Sequence, residues 1–418
     1  MSCEDPAPGG AAADTLLTLA DVERAAAAVL PAGVRDFVAG GSGSERTLAA
    51  NREAFDRVFV RPRVLRDVSR CATGADLLGR PARMPVAVAP VAYQALVHPD
   101  GELAAARAAK AAGVPFTVST LSTVSVEEIT ALGGRVWFQL YWLREPGRAL
   151  ELARRAQDAG CEALMLTVDV PWMGRRLRDV RNEFALPEHV RAAHLDGGGP
   201  SAAHRRAAGA SAVAVHTGQE FSSALTWSQV AELRAMTRLP LLLKGVLAAE
   251  DAVRAAEFGV DAVVVSNHGG RQLDGALPSV EALPEIAEAV GGSCQVLLDS
   301  GVRSGTDVLR ALALGASGVL VGRPPVWGLA AAGEAGVRRV LGLLAAELSD
   351  ALGLAGCATV ADARRLRTVR LGAPAGAAGR AGPAGAAVRD RPDGSGARAD
   401  AARSETGGPQ PGRRPAGP

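Results

Sequence analysis

Eight short apolar runs, each followed by a stretch with helical spacing, constrain this chain more than any other feature. They are "PVAVAP" (85–90), "PFTVS" (115–119), "VWFQL" (136–140), "ALMLTVD" (163–169), "PLLLKG" (240–245), "AVVVSN" (262–267), "QVLLDS" (295–300) and "GVLVGR" (318–323). Ala-, Glu- and Arg-rich segments such as 101–112, 146–159, 248–258 and 305–314 lie between them. Strands buried on both faces read as continuous apolar runs, so eight β/α alternations predict a parallel (β/α)₈ TIM barrel. The competing arrangement is a doubly wound open sheet, but no GxGxxG follows an early strand.

The flanking segments are of a different kind. Residues 15–60 read as a helical N-terminal segment, while 1–14 and the Ala/Gly/Pro/Arg-rich tail 373–418 lack apolar periodicity and read as disordered. The barrel unit is expected to span 15–372. The connection at about 175–226 is too long for a bare loop after strand four. Its "DGGGPSAAHRRAAGASA" core reads as mobile, suiting a lid-like insertion better than packed structure.

Composition excludes several classes. At 48% hydrophobic and 22% charged, the 418 residues suit a globular protein with a large core. A formal charge of +2 without a concentrated basic patch argues against nucleic acid as partner. No apolar stretch approaches the ~18 residues that span a bilayer, and no signal-peptide pattern opens the chain. The scattered cysteines, Cys3, Cys71, Cys161, Cys294 and Cys357, show no CxxC. They imply neither a disulfide framework nor a metal site, and a cytoplasmic location.

Chemistry in a barrel sits at the C-terminal strand ends. Reading those ends in order gives Pro90–Ala92 with Tyr93, Ser119, Gln139 with Tyr141, Thr167 with Asp169, Lys244, Ser266–His268, Asp299–Arg303, and Gly322 with Arg323. Both tyrosines of the chain, one of its two lysines (Lys110 is the other) and Asn267 fall on this one face. The loops "DSGVRSG" (299–305) and "GRPP" (322–325) follow strands seven and eight, where barrels bind phosphate. Gly301 and Gly322 admit close backbone approach, and Arg303 and Arg323 supply charge. Lys244 places a cation where it stabilises an electron-accepting ring. His268 is the histidine at a strand end, with Asp169 to orient it; Arg176 and Arg271 would face a substrate anion. A barrel enzyme acting on a phosphorylated metabolite without flavin, and a non-catalytic binding protein, are the alternatives at this point.

The wording of "SNHGGRQLDG", "LTVDVPWMGRRLRDVRN", "WFQLYW", "LLLKGV" and "NREAFDRVFVRPRVLRDVS" resembles the FMN-dependent 2-hydroxy acid oxidase and dehydrogenase family over about residues 16–370. Within it, "DFVAGGSG" and "VDVPWMGRRLRD" resemble the branch acting on 4-hydroxymandelate in hydroxyphenylglycine biosynthesis. The resemblance implies FMN resting against Pro90, Val91 and Ala92, with Ser119, Gln139 and Thr167 bonded to its ring. Lys244 would sit near the ring's N1/C2 oxygen region, and Ser266 would help hold the cofactor. Asp299, Ser300, Gly301, Val302 and Arg303, with Gly322 and Arg323, would take ribityl and phosphate. His268 would be the base, backed by Asp169; Arg176 and Arg271 would grip the substrate carboxylate beside Tyr141. The family also implies a homotetramer.

Two positions depart from the family pattern. Phe37 stands where a tyrosine hydroxyl usually meets the substrate acid, and Ser300 replaces the middle glycine of "DGG". Phe37 as an apolar wall, together with Leu121 in place of a bulkier tryptophan, predicts an aryl acid. The expected substrates are (S)-mandelate types, 4-hydroxymandelate foremost, with O₂ reduced to H₂O₂. Tyr93 is a further candidate for the lining. A non-oxygen acceptor, or an aliphatic acid such as glycolate or lactate, is the runner-up expectation.

Overall fold

The computed structural model describes residues 13–195 and 200–372. The predicted runs form eight parallel strands closed into a barrel. They are β1 (Val86–Val88), β2 (Phe116–Val118), β3 (Val136–Leu140), β4 (Ala163–Thr167), β5 (Leu241–Val246), β6 (Ala262–Val265), β7 (Gln295–Leu298) and β8 (Gly318–Val321). Each pairs with its sequence neighbours, and β8 closes on β1 through Val319↔Val86 to Val321↔Val88. The open-sheet alternative is thereby excluded.

The pleat sorts side chains with a period of two. Ala87, Trp137, Met165, Leu242, Val264, Leu297 and Leu320 form one buried cluster, separate from the larger cluster of the alternate residues such as Phe138, Leu164, Leu243 and Val263. Two residues further along, the first set continues into Gln139, Thr167, Lys244, Ser266, Asp299 and Gly322. The barrel's apolar filling therefore ends in a polar layer at the C-terminal mouth. The other end is closed by an antiparallel hairpin, Ala75–Leu77 with Arg80–Ala82, whose Leu77 joins the inner cluster.

The N-terminal segment is helical as expected, over Leu19–Val29, Ala32–Ala39 and Arg46–Asp56. Thr18 opens the first helix with a capping box: Asp21 N–H donates to Thr18 Oγ1 at 3.1 Å and Thr18 N–H to Asp21 Oδ2 at 2.8 Å. The third helix docks on the mouth through a reciprocal amide pair, Asn51 with Asn267, at 2.9 and 2.7 Å. The short strand Val58–Val60 pairs antiparallel with Thr368–Arg370. Ala13 and Asp14, read as part of a disordered start, belong to a short 3-10 turn at Ala13–Thr15. The expectations for 1–12 and 373–418 fall outside the described residues.

The insertion after β4 departs from expectation. Around the undescribed residues 196–199 it carries helices at Leu177–Arg181 and Ala212–Glu220 and buries Leu186, Val190, His194, Ala203, Val213 and Phe221. Its glycine- and alanine-rich wording reads as mobile, yet the apolar side chains around it pack onto the barrel mouth. Such long-range burial leaves no local periodicity to detect.

Candidate active site

The strand ends, the N-terminal segment and the insertion enclose an open cavity of about 1280 Å³, including solvent at its mouth. Its wall brings together residues far apart in sequence: Phe37, Pro90, Val91, Ala92, Ser119, Tyr141, Arg176, Lys244, His268, Arg271, Asp299, Ser300, Gly301, Val302, Arg303, Gly322 and Arg323. Tyr93 and Leu121 line it as well. Gln139, Thr167, Asp169 and Ser266 do not reach the wall and brace residues that do. Gln139 accepts from Thr120 N–H at 3.2 Å and from Ser119 at 3.3 Å, and donates to Thr167 Oγ1 at 3.0 Å.

His268 follows β6 with a left-handed backbone, φ 59°. Its Nδ1 lies 3.1 Å from Asp169 Oδ1, which leaves Nε2 as the ring nitrogen free to act. Gly245 makes this contact possible: a Cβ there would stand 2.5 Å from Asp169 Cβ and Cγ. Burial, partly opposed by Asp169, pulls the imidazole below its ordinary value of 6.5. Burial pushes Asp169 the other way, but His268 and Lys244 together hold it below the usual carboxylate value. The pair is thus a neutral imidazole on an ionised carboxylate near neutral pH.

Lys244 Nζ sits 3.1 Å from Asp299 Oδ2 and 3.1 Å from Ser266 Oγ. Burial works against its charge, yet Asp299 and Asp169 outweigh it and raise the pKa. Burial pushes the Tyr141 phenol up to about 12, so it stays a proton donor, and its ring stacks on Phe221 of the insertion at 4.3 Å.

Four guanidiniums share this cavity, and among the described residues none forms an ion pair. Arg271 donates to the carbonyls of Phe37 (2.9 Å) and Gly40 (2.7 Å). Arg323 donates to Val38, Gly269 and Gly40 at 3.1, 2.9 and 2.9 Å. Arg303 lies over the Trp327 ring at 4.7 Å, and the buried Arg176 leaves its Nε without a hydrogen-bond partner. Burial pulls Arg176 down to about 9 and Arg303 to about 10, and it holds Arg323 well below the ordinary guanidinium value. Asp179 acts on Arg176 and Arg271 from beyond ion-pair distance, and poorly hydrated cations with no carboxylate in contact call for anions. Arg303 and Arg323 follow the β7 and β8 strand ends and Arg176 and Arg271 flank Phe37, with Arg271 and Arg323 meeting at the Gly40 carbonyl. That arrangement suits a phosphate on one side and a carboxylate on the other. Among the described residues no group of three or more His, Cys, Asp or Glu could hold a metal. No described helix is long and apolar enough to cross a membrane.

The family model for FMN-dependent dehydrogenases matches residues 26–370. The chain belongs to the FMN-dependent dehydrogenase family. Its cofactor is FMN, whose phosphate the paired guanidiniums and the glycine-bearing loops fit. The chain is 64% identical over 354 residues to 4-hydroxymandelate oxidase of Amycolatopsis orientalis, covering 85% of this chain and 98% of that one. It is 48% identical over 333 residues to an L-lactate oxidase of Nostoc sp., covering 78% and 91%. Among solved structures, mandelate oxidase with (S)-4-hydroxymandelic acid superposes with a TM-score of 0.83 at 63% identity, covering 85% and 99%.

Sequence reading missed the part of this family site that the insertion builds. Phe184 stacks on Phe37 at 4.7 Å, and Val213, Thr217 and Phe221 line the cavity. Two of the chain's eight phenylalanines within the insertion were the available signal. Phe37 itself has a double role. Beyond packing on Phe184, its ring lies 5.7 Å from the Arg176 guanidinium and 5.4 Å from that of Arg271.

Proposed function

We propose that this enzyme oxidises (S)-2-hydroxy acids bearing an aryl group, (S)-4-hydroxymandelate foremost, to the 2-oxo acid, with O₂ reduced to H₂O₂. The observation that carries the reading is the cavity itself. An imidazole with one free nitrogen shares the cavity with the buried Arg176 and the half-buried Arg271, between walls of Phe37, Leu121, Val213 and Phe221. The similarity to 4-hydroxymandelate oxidase supports the same substrate class.

In this reading Arg303 and Arg323, with Asp299 to Val302 and Gly322, hold the FMN phosphate and ribityl chain. Pro90, Val91 and Ala92 face its ring, and Ser119, Gln139, Thr167, Lys244 and Ser266 form the polar layer around it. When bound, FMN would supply the acceptor for the two electrons removed from the substrate, together with the α-hydrogen where His268 takes the hydroxyl proton. Arg176 and Arg271 grip the substrate carboxylate, because a guanidinium fork matches both its oxygens. That grip fixes the hydroxyl-bearing carbon relative to His268. A proton, from the hydroxyl or from the α-carbon, goes to His268 Nε2, and Asp169 steadies the imidazolium formed. The Tyr141 hydroxyl, kept protonated, donates to the substrate oxygen as it becomes a carbonyl. The walls exclude water from one face and accept an aryl ring, with ring–ring contacts worth about 0.5–1.5 kcal/mol beyond burial.

The reading includes a cytoplasmic homotetramer with a barrel unit of residues 15–372, supported by cysteine usage and by the family; a sizing measurement tests the assembly. The decisive experiment is kcat/KM across glycolate, lactate, mandelate and 4-hydroxymandelate under air, with peroxide measured. The aryl acids should lead, with one peroxide per turnover. A preference for glycolate or lactate overturns the substrate, and turnover without peroxide overturns the acceptor.

A further inference from the structure

Three consecutive residues, His268, Gly269 and Gly270, occupy the left-handed region, with φ of 59°, 67° and 75°. The first carries a Cβ, for which this region is unfavourable. Such a run cannot join a regular ladder, so its N–H groups need other acceptors. Each finds a side-chain oxygen. His268 N–H donates to Ser266 Oγ at 3.0 Å, Gly269 N–H to Ser300 Oγ at 2.9 Å, and Gly270 N–H to Asn267 Oδ1 at 3.0 Å. Two of these acceptors belong to the same loop. Ser300 alone reaches across from the end of the neighbouring strand.

The remaining contacts of Ser300 fix its direction. Its single hydroxyl hydrogen goes to Asp299 Oδ1 at 2.7 Å, which leaves an oxygen lone pair for Gly269. The other Asp299 oxygen, Oδ2, faces Lys244 Nζ at 3.1 Å. On its far side the Gly269 carbonyl accepts from Arg323 at 2.9 Å. A continuous chain of contacts therefore links Lys244, Asp299 and Ser300 to the backbone beside His268. Ser300 holds φ 73°, where glycine would be at ease, so backbone comfort does not explain a serine here.

We propose that Ser300 is a positioning residue that sets the orientation of His268 and couples it to the Lys244–Asp299 pair. The proposal rests on the reading of His268 as the base. A merely structural serine would make Ser300→Gly neutral or stabilising, with the proton chemistry unmoved.

The test compares Ser300→Gly and Ser300→Ala as FMN-loaded enzymes. Hydrogen exchange of the 262–275 segment should rise in both, while β5 exchange stays as in the parent. The anaerobic rate of flavin reduction by 4-hydroxymandelate should fall roughly three- to tenfold, the effect of one lost neutral hydrogen bond. The groups facing His268 are Asp169, Lys244 and Asp299, with Tyr141 and Arg271 on the same cavity wall. A loosened imidazole gains water, so the acid limb of the reduction rate should move to higher pH. Unchanged exchange overturns the proposal. So does altered exchange with an unmoved acid limb, which reduces Ser300 to a loop brace. The glycine variant guards against misfolding, because its backbone is relaxed at this φ. Normal flavin reduction in His268→Ala would instead remove the base and with it the coupling, whereas the exchange result still reports on the loop.

Discussion

The two sides of the barrel mouth are built differently. On one side Lys244, Ser266, Asp299 and Gly322 are the next inward positions of β5 to β8, so the pleat that packs the core also places them. On the other side the wall is assembled from added segments: Phe37 from an N-terminal helix, backed by Phe184, and Val213 and Phe221 from the insertion. Strand ends are fixed by ladders on both flanks. The added walls are held by side-chain packing such as the Phe37–Phe184 and Tyr141–Phe221 stacks. Chemistry is thus anchored in the rigid frame, and substrate choice rests on parts that can change without disturbing it.

Substitutions on the two sides should accordingly fail in different ways. The largest effect belongs to the frame side. His268→Ala should retain FMN yet lose about 10²–10⁴-fold in the rate of flavin reduction, the contribution of a general base. In the parent enzyme that rate should fall with acidification, because the base must be neutral. The limb should lie below pH 6.5, since burial lowers the imidazole pKa. Stopped-flow reduction across pH checks both, and a limb well above 6.5 would place the base elsewhere.

Arg271 stands on the boundary, donating to the N-terminal segment while facing the cavity. Arg271→Lys should cost about 1.5–3 kcal/mol of acid binding, read as a raised KM with a smaller change in kcat. An equal fall in kcat and kcat/KM would show instead that the fork acts mainly in the transition state.

The smallest expected effect lies at Leu121, which follows the β2 strand end and faces the same cavity as the added wall. Leu121→Trp should lower kcat/KM for 4-hydroxymandelate about tenfold through overpacking. Glycolate turnover and FMN content should stay near the parent values. Equal losses for both acids would erase the distinction between frame and wall.

The same contrast explains what was legible beforehand. Continuous apolar runs announced all eight strands, and rare residue types at their ends marked Tyr141, Lys244 and His268. Local sequence carries that information because burial on both faces and period-two alternation are local patterns. The folded insertion was not legible, since Phe184 and Phe221 find their partners 147 and 80 residues away, at Phe37 and Tyr141. Nor could the chain alone show that Gln139, Thr167 and Ser266 stand behind the cavity wall rather than in it. The three side-chain acceptors beneath the His268 run depend likewise on how β6 and β7 sit side by side.

The pairing of Val58–Val60 with Thr368–Arg370 has a consequence for how the protein is made. About 310 residues separate the two partners, which a ribosome adding 5–20 residues per second needs about 15–60 s to supply. Throughout that interval the earlier strand waits as an unpaired edge, with Phe59 on its outer face. The barrel shares the delay, because β1 finds its second neighbour only when β8 emerges. A nascent chain stopped before Thr368 never covers that edge.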